Sequence, residues 1–308
     1  MLQFLISMTS KIPANFSIGG GRSPFHTLGL RILFILFLFI AGGFLFAGRV
    51  EAATYYVNQN GSGAQTGVDV DNAASIATFN AGTAPFNNLA DNTVYLLDTV
   101  TTSVTIPNGG TSGHIATVRG DYPGHACTIS NSNSSQLSTN GKSYVTVNGF
   151  SLVSSSSGAS DSNILISSTI SYVTLSNLTL NMTNNNGYPL KGQANNNDHI
   201  TLDSISVIAG DSTKNGIYFF GSGNGNFTLT NIDSGPTYGT AFTTINGLTI
   251  STLTARRFTI YTSGSGIFQL SNISTSYVEG ISLTSVVFGA GSYINSSTIL
   301  NGLFTLTL

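Results

Sequence analysis

The titratable side chains of this sequence are few, and they are spread along the chain. Glycoside hydrolysis needs two carboxylates about 5 to 9.5 Å apart, and the acidic residues share no repeated position that would pair them. A metal-independent lyase needs less: a base for the sugar proton and a cation beside the uronate carboxyl group. The candidates for these two roles are Lys191, His199, Lys214, Arg256 and Arg257. The alternative is that all of them are ordinary solvated side chains.

The sequence predicts no metal site and no cofactor. A calcium site usually needs clustered acidic side chains. The acids beyond residue 142 share no repeated position: they are Asp161, Asp198, Asp203, Asp211, Asp233 and Glu279. These residues neither support nor exclude calcium. The single cysteine, Cys127, cannot form an internal disulfide and offers no metal-ligand cluster.

The composition points to the fold class. Only 7% of the 308 residues are Asp, Glu, Lys or Arg, against about 25% in an ordinary soluble protein. The surface must therefore be covered by Ser, Thr, Asn and Gly. These residue types weaken helix interiors and suit turns, while Thr also suits strands. The composition predicts an all-β protein rich in turns.

Residues 1–52 have the pattern of a secretory signal peptide. An uninterrupted apolar run at 32–48 follows two arginines, and the small residues Val50 and Ala52 suit cleavage after Ala52. The alternative is an uncleaved membrane anchor, since the run at 32–48 is just long enough to span a bilayer. We therefore expect a protein that is secreted or on the cell surface, or one that is anchored in the membrane and faces outside the cytoplasm.

The rest of the chain is mildly acidic. After residue 52 there are six basic and eleven acidic residues, which give a net charge of −5. Nucleic-acid binding relies on clustered Lys and Arg to neutralise phosphates. We therefore expect no nucleic-acid partner, and contact with a membrane only through the N-terminal apolar segment.

A short pattern recurs along the chain, centred on a threonine between two apolar residues. The step between copies is nearly constant at first and shorter at the end, with threonines at Thr146, Thr174, Thr201, Thr228 and Thr249. Strict alternation places the apolar pair on one face of a strand and the threonine on the other. A unit of this length cannot bury its own apolar face, whereas stacked copies can. The pattern predicts a right-handed single-stranded parallel β-helix with an outer threonine column.

The outward position two residues before the threonine carries aromatic side chains. Tyr144, Tyr172 and His199 occupy it on successive copies, about 4.8 Å apart if the strands stack in register. Aromatic rings pack against the C–H surfaces of sugars, so this strip is a candidate glycan-binding platform, with Asp203 beside it. The alternative is a stacking ladder that only stabilises the sheet.

Three segments resemble the secreted β-helix proteins of the pectate-lyase-like superfamily. They are ATYYVNQNGSG (53–63), NTVYLLDT (92–99) and GTSGHIATVRGDYPGHACTIS (110–130). The resemblance implies an N-terminal strand and capping segment over 53–92 and a parallel β-helix over 93–308. The last residues, LFTLTL, are strand-like and have no polar cap. Because an open edge invites pairing, we expect either that something outside this sequence covers this end or that the β-helix is truncated there.

The resemblance is specific for fold and weak for function. The superfamily includes lyases, hydrolases, epimerases and non-catalytic surface proteins, and a shared fold does not select among them. We expect an exported protein that binds or processes extracellular polysaccharide or a cell-surface glycan, with lyase chemistry if it is an enzyme. The alternative is a non-catalytic surface adhesin or structural solenoid.

Overall fold

The structure is a computed structural model. It describes residues 52–133, 135–156, 158, 160–183, 187–209, 215–219 and 224–233, and after these the strand segments between residues 240 and 306. Residues 1–51 of the predicted signal segment, Lys214 and Arg257 lie outside the described residues. No helix within the described ranges is long and apolar enough to cross a membrane.

Strands dominate the described chain. In chain order the first elements are β1 (Thr54–Asn58), β2 (Ala74–Ser75), α1 (Ile76–Ala81), β3 (Thr93–Leu96), β4 (Thr99–Val100), β5 (Val104–Thr105), β6 (Ala116–Arg119), β7 (Asp121–Tyr122), β8 (His125–Ala126), β9 (Thr128–Asn131), β10 (Ser135–Ser138), β11 (Val145–Asn148) and β12 (Ser151–Ser154). The later elements are β13 (Ser162–Ile166), β14 (Ser171–Met182), β15 (Tyr188–Gly192), β16 (Asp198–Ala209), β17 (Asn215–Phe219), β18 (Asn224–Asp233), β19 (Thr240–Thr244), β20 (Leu248–Arg256), β21 (Ile260–Thr262), β22 (Phe268–Ser274), β23 (Tyr277–Glu279), β24 (Ser282–Asn295), β25 (Thr298–Leu300) and β26 (Leu303–Leu306).

Two large parallel sheets are built from strands that are far apart in sequence. The first sheet has the order β2-β1-β3-β6-β11-β14-β16-β18-β20-β22-β24-β26, with β4, β9 and β12 pairing alongside. The second has the order β21-β19-β17-β15-β13-β10-β5. Each strand therefore pairs with its equivalent in the next winding of the chain, and the sheets stack as a parallel β-solenoid. The predicted all-β parallel solenoid is confirmed.

Alternation along each strand builds the core. In β14, Val173 and Leu175 are fully buried, while Thr174 between them is partly exposed. The neighbouring strand β16 repeats the pattern, with Ile200 and Leu202 buried around Thr201. Successive strand residues point to opposite faces, so the apolar side chains fill the interior and the threonines lie outside.

Beyond β18 the predicted register is wrong. The sequence spacing predicted Thr249 opposite Thr228, but the structure pairs Thr228 with Thr252 and Phe227 with Ile250. The register shifts at three points along this pair, between Asn224 and Phe227, between Phe227 and Thr228, and between Leu229 and Ile232. A simple count of residues cannot detect such irregular pairing.

The corners of the first sheet need a left-handed backbone. Gly149, Asn177, Ser204 and Asn231 follow the first strand segment of successive windings, with φ of 77°, 52°, 55° and 52°. Glycine adopts positive φ without strain, and asparagine does so more readily than other residues with a Cβ. The Gly or Asn at three of these four corners is therefore explained by backbone conformation, and Ser204 is the exception.

The N-terminal edge of the second sheet is covered by a side chain of α1. Asn80 lies near the end of this helix, which is capped by Ser75 at its start and by Gly82 at its end. The Asn80 amide nitrogen donates to the Ser103 carbonyl oxygen, and its oxygen accepts from the Thr105 backbone N–H, both at 2.8 Å. The amide thus takes the place of a neighbouring strand beside β5, whose open edge would otherwise invite pairing.

Replacing Asn80 with alanine should destabilise the fold by about 1–3 kcal/mol, because the Ser103 carbonyl oxygen and the Thr105 backbone N–H lose their partner. Thermal unfolding followed by circular dichroism measures the change. Asn87→Ala is the control, since Asn87 is exposed, and it should have little effect. Equal effects of the two substitutions would contradict the edge-covering role of Asn80.

Candidate functional site

The three predicted aromatic residues form a continuous stack on the outside of the first sheet. The ring centres of Tyr144 and Tyr172 are 4.9 Å apart with an interplanar angle of 10°, and those of Tyr172 and His199 are 4.4 Å apart with an angle of 21°. The parallel register of β11, β14 and β16 produces this arrangement. We call these three residues the aromatic stack.

The backbone beneath the aromatic stack is strained. Tyr144, Tyr172 and His199 have φ of 56°, 56° and 51°, a conformation that is unusual for bulky residues. Glycine or asparagine would occupy such positions at lower cost. Aromatic residues at three successive strained positions therefore indicate that their side chains contribute something the backbone alone does not require.

A column of threonines runs beside the aromatic stack. Strand register aligns Thr54, Thr93, Thr117, Thr146, Thr174, Thr201 and Thr228. The sequence pattern had predicted the column only from Thr146 onward. The segment Ala116-Thr117-Val118 carries the same apolar-Thr-apolar signal, and could have extended the prediction. We call the seven aligned threonines, from Thr54 to Thr228, the threonine column.

The hydroxyl groups in the middle of the column have no partners of their own. Thr146, Thr174 and Thr201 are partly exposed, and their hydroxyls make no hydrogen bond within the described part of the structure. Each hydroxyl can donate one hydrogen bond and accept others. The column therefore presents a row of available polar groups at the spacing of the strands.

An open groove lies along the column and the stack. Its volume is about 490 Å³, and four threonines contribute to its lining: Thr146, Thr174, Thr201 and Thr228. Tyr172, His199 and Ile115 also line it. Tyr172 is 45% exposed and Ile115 37% exposed. Ile115 was not predicted as a site residue, although it occupies the position two residues before Thr117, equivalent to that of the aromatic stack.

Asp203, the remaining glycan-binding candidate, lies two residues beyond Thr201 on the same strand. Its carboxylate accepts hydrogen bonds from the Thr230 hydroxyl and from the Asn231 amide at 3.2 Å. Register aligns Asp203 with Ser176 and Thr230 on the neighbouring strands. The carboxylate therefore has two partners already and flanks the groove without lining it.

His199 is held by a neighbouring carboxylate. Its Nδ1 lies 2.7 Å from Oδ2 of Asp198, and both side chains are partly exposed. A carboxylate at Nδ1 favours a proton on that nitrogen and leaves Nε2 as the proton acceptor. This pairing suits a proton-abstracting base, and it also suits a ring that is simply fixed in position.

Lys191, a catalytic candidate from the sequence, lies in a different sheet. It belongs to β15 and is 7% exposed. Its Nζ donates to the Ser160 carbonyl oxygen at 3.1 Å and lies 5.4 Å from the centre of the Tyr188 ring. Burial lowers the pKa of this ammonium group, while the charge of Asp161 opposes the shift. The structure does not bring Lys191 together with His199.

The remaining catalytic candidates have no described side chains. Arg256 ends β20, where its backbone pairs with Asp233, but its side chain lies outside the described residues. The same holds for the whole of Lys214 and Arg257. Within the described ranges, no group of three or more His, Cys, Asp or Glu side chains could hold a metal ion.

Arg119 and Asp121 form an ion pair near the N-terminal end of the threonine column. Arg119 donates to the two carboxylate oxygens of Asp121 at 2.8 and 2.6 Å, and its guanidinium lies 5.7 Å from the centre of the Tyr95 ring. The hydrogen bond raises the pKa of Arg119 and lowers that of Asp121. The only arginine with a described side chain beyond residue 52 is therefore already neutralised.

Cys127 is packed in the core and should be chemically inert. It is 2% exposed, and burial, with a smaller contribution from the charge of Asp98, raises the pKa of the thiol to about 12. The reactive thiolate is therefore scarce at neutral pH. We expect iodoacetamide to modify Cys127 only after unfolding in guanidinium, as measured by mass spectrometry. Rapid modification of the native protein would contradict the buried position.

Comparison with known proteins adds no assignment to this geometry. The sequence matches no protein-family model, and it matches no curated protein. The candidate site therefore rests on the aromatic stack, the threonine column and the groove between them.

Proposed function

We propose that this chain binds extracellular polysaccharide through the threonine column and the aromatic stack. The observation that carries the proposal is the groove, which combines unpartnered hydroxyls of Thr146, Thr174 and Thr201 with the exposed ring of Tyr172 in the described part of the chain. Sugars present hydroxyl groups in all directions and C–H surfaces between them. The threonine hydroxyls suit the sugar hydroxyls. The exposed edges of the stacked rings, whose faces cover one another, add apolar contact for the C–H surfaces.

The length and openness of the groove favour a polymer over a small molecule. Sites for small ligands usually enclose most of the ligand surface, whereas this groove extends over several strands of an exposed sheet. Each contact to a sugar hydroxyl is weak, because it replaces a contact to water. A polysaccharide that contacts several threonines at once gains affinity from the sum of these weak contacts.

Sequence features support an exported location. The apolar segment at 32–48 has the pattern of a signal peptide, and the segments at 53–63, 92–99 and 110–130 resemble secreted proteins of the pectate-lyase-like superfamily. Polysaccharide is abundant outside cells and at their surfaces. We therefore propose that the protein is secreted or on the cell surface, with a membrane-anchored protein that faces outside the cytoplasm as the alternative.

Lyase chemistry is the second candidate function, and the contact between His199 and Asp198 favours it. His199 Nε2 would accept the proton beside the uronate carboxyl group. The reaction also needs a cation to stabilise the charge that develops on the carboxyl group. Among the described residues that line the groove there is no Lys or Arg, so we regard binding without catalysis as the better-supported function.

Two assays separate these functions. Affinity electrophoresis and a glycan array should show retention of the protein by polysaccharide, and a failure to bind any glycan would contradict the proposal. Absorbance of unsaturated uronates should stay flat with pectin, alginate and glycosaminoglycans. Product formation that is lost in His199→Ala would establish the lyase instead. Binding without product formation would agree with a non-catalytic surface protein.

A further inference from the structure

The charge distribution around the groove bears on the class of polysaccharide that it accepts. None of the seven described residues that line the groove is Asp, Glu, Lys or Arg. They are four threonines, Ile115, Tyr172 and His199. A charged group that contacts this open groove gives up part of its hydration and meets no opposite charge, which is unfavourable. An uncharged hydroxylated ligand meets hydrogen-bonding partners and apolar surface.

The carboxylates around the groove would also repel an acidic polysaccharide. Asp203 lies two residues from Thr201 on β16, about 7 Å along the strand, and its described partners are the neutral groups of Thr230 and Asn231. Asp198 lies next to His199 at the other edge. Charges at such separations interact appreciably near a protein surface. A uronate placed beside Thr201 would therefore lie close to negative charge.

The described cations do not compensate for these carboxylates. Arg119 is bound by both oxygens of Asp121, and Lys191 belongs to the second sheet. Lys142 lies two residues before Tyr144 and makes no ion pair within the described ranges. It is outside the groove lining. Lys142 is therefore the one described cation that a uronate carboxyl group could recruit, which makes it a useful probe.

The geometry also defines the direction of the ligand. The groove runs from Ile115, which directly precedes β6, to Thr228 on β18. Register places β6, β11, β14, β16 and β18 in immediate succession. Four strand spacings of about 4.8 Å give a length of about 19 Å. A linear chain lying along the solenoid axis would contact one threonine after another. A compact or highly branched glycan would contact only part of the row.

We propose that the ligand of this groove is an uncharged, linear polysaccharide that lies along the solenoid axis. This inference rests on the proposed function and narrows it, because a uronate polymer would satisfy the general proposal and violate this one. A neutral ligand also argues against lyase chemistry, because that chemistry requires acidic substrates that contain uronates.

Binding of defined oligosaccharides provides the test. Glucan, xylan and mannan oligosaccharides should be compared with polygalacturonate and alginate oligosaccharides by calorimetry. We expect at least one neutral series to bind, with affinity rising about tenfold or more from disaccharide to hexasaccharide, and every uronate series to bind about tenfold more weakly or not at all. Neutral binding should not change between low salt and about 0.5 M NaCl, because no ion pair is screened.

Lys142→Gln is the variant that tests whether a uronate carboxyl group recruits this cation. It should leave the affinity for the neutral ligand unchanged. Tight uronate binding that is weakened by salt and by Lys142→Gln would overturn this inference while leaving polysaccharide binding itself in place. An absence of binding to both neutral and acidic glycans would overturn the proposed function, and this inference with it.

Discussion

Replacement of Tyr172 by asparagine is expected to remove most glycan binding while preserving the fold. Tyr172 is the central ring of the aromatic stack, lines the groove and is 45% exposed. In protein–protein interfaces, tyrosine is enriched among the residues whose truncation costs about 2 kcal/mol or more of binding, and we expect Tyr172 to have a similar anchoring role here. We therefore expect affinity for polysaccharide to fall about tenfold or more, as measured by affinity electrophoresis.

The effect of Tyr172→Asn on stability should be small, because two contributions oppose each other. The substitution loses two stacking contacts, each of about 0.5–1.5 kcal/mol. It also relieves a bulky residue held at φ 56°, a conformation that costs about 1–2 kcal/mol and that asparagine tolerates better. Tyr172→Ala loses the same contacts without that relief, so it should destabilise the protein by about 1–3 kcal/mol.

These two variants distinguish a binding site from a structural ladder. If Tyr172→Asn binds polysaccharide as strongly as the unmodified protein, the aromatic stack only supports the sheet. Weaker binding at unchanged thermal stability would assign the ring a role in recognition. Asn226 occupies the equivalent position two copies further along the sequence, so the substitution uses a residue that the repeat already accepts.

Replacement of Leu175 by alanine is expected to destabilise the solenoid by about 2–5 kcal/mol. Leu175 is fully buried, and register places it between Val147 and Leu202. Removing its side chain leaves a cavity between successive windings, where close packing cannot be recovered without moving both neighbours. Unfolding in urea, followed by far-ultraviolet circular dichroism, measures the loss, since the chain contains no tryptophan.

Thr174→Ala is the control for this prediction, since Thr174 precedes Leu175 and faces outward. It should change stability by no more than about 0.5 kcal/mol. If the two substitutions were equally destabilising, the two faces of β14 would not differ in burial. A larger effect of Thr174→Ala would mean that the inward and outward faces have been assigned the wrong way round.

The first sheet could be predicted from the sequence because its signal is local and repeated. The nearly constant step from Thr146 to Thr228 predicted the register of β11, β14, β16 and β18, and that register brings the aromatic stack together. The prediction did not hold at Thr249, where an irregular pairing replaces the simple step. A repeat predicts register only where every winding has the same number of residues in each strand.

The second sheet could not be predicted with the same method. Its strands, such as β13 and β15, are short and contain buried polar residues. Asn163 is fully buried, and its amide nitrogen donates to Gln136 and to two backbone carbonyl oxygens. Lys191 is almost buried in the same sheet. Alternation of polar and apolar residues indicates a strand only when the polar side chains face solvent.

The candidate site was predicted in part. The sequence identified Tyr144, Tyr172 and His199, because a two-residue offset from each threonine is easy to follow. It missed Ile115, because that residue is not aromatic, and it could not place Lys191 relative to His199 across an intervening turn. Distances between side chains on different sheets depend on the path of the whole winding, which local patterns do not specify.

The aromatic stack and the groove exist only if the threonines of successive windings are aligned, and engineered disulfides test that alignment. Thr146 and Thr174 lie opposite each other on adjacent strands, about 4.8 Å apart, within the range that a disulfide can bridge. Thr146 and Thr201 are separated by two strand spacings, which is too far. The buried thiol of Cys127 should not interfere.

We expect Thr146→Cys/Thr174→Cys to form an intramolecular disulfide in the folded protein under mild oxidation, as detected by mass spectrometry of its peptides. Thr146→Cys/Thr201→Cys should remain reduced under the same conditions. A crosslink between residues 146 and 201, or none between residues 146 and 174, would contradict the register on which the threonine column, the aromatic stack and the groove depend.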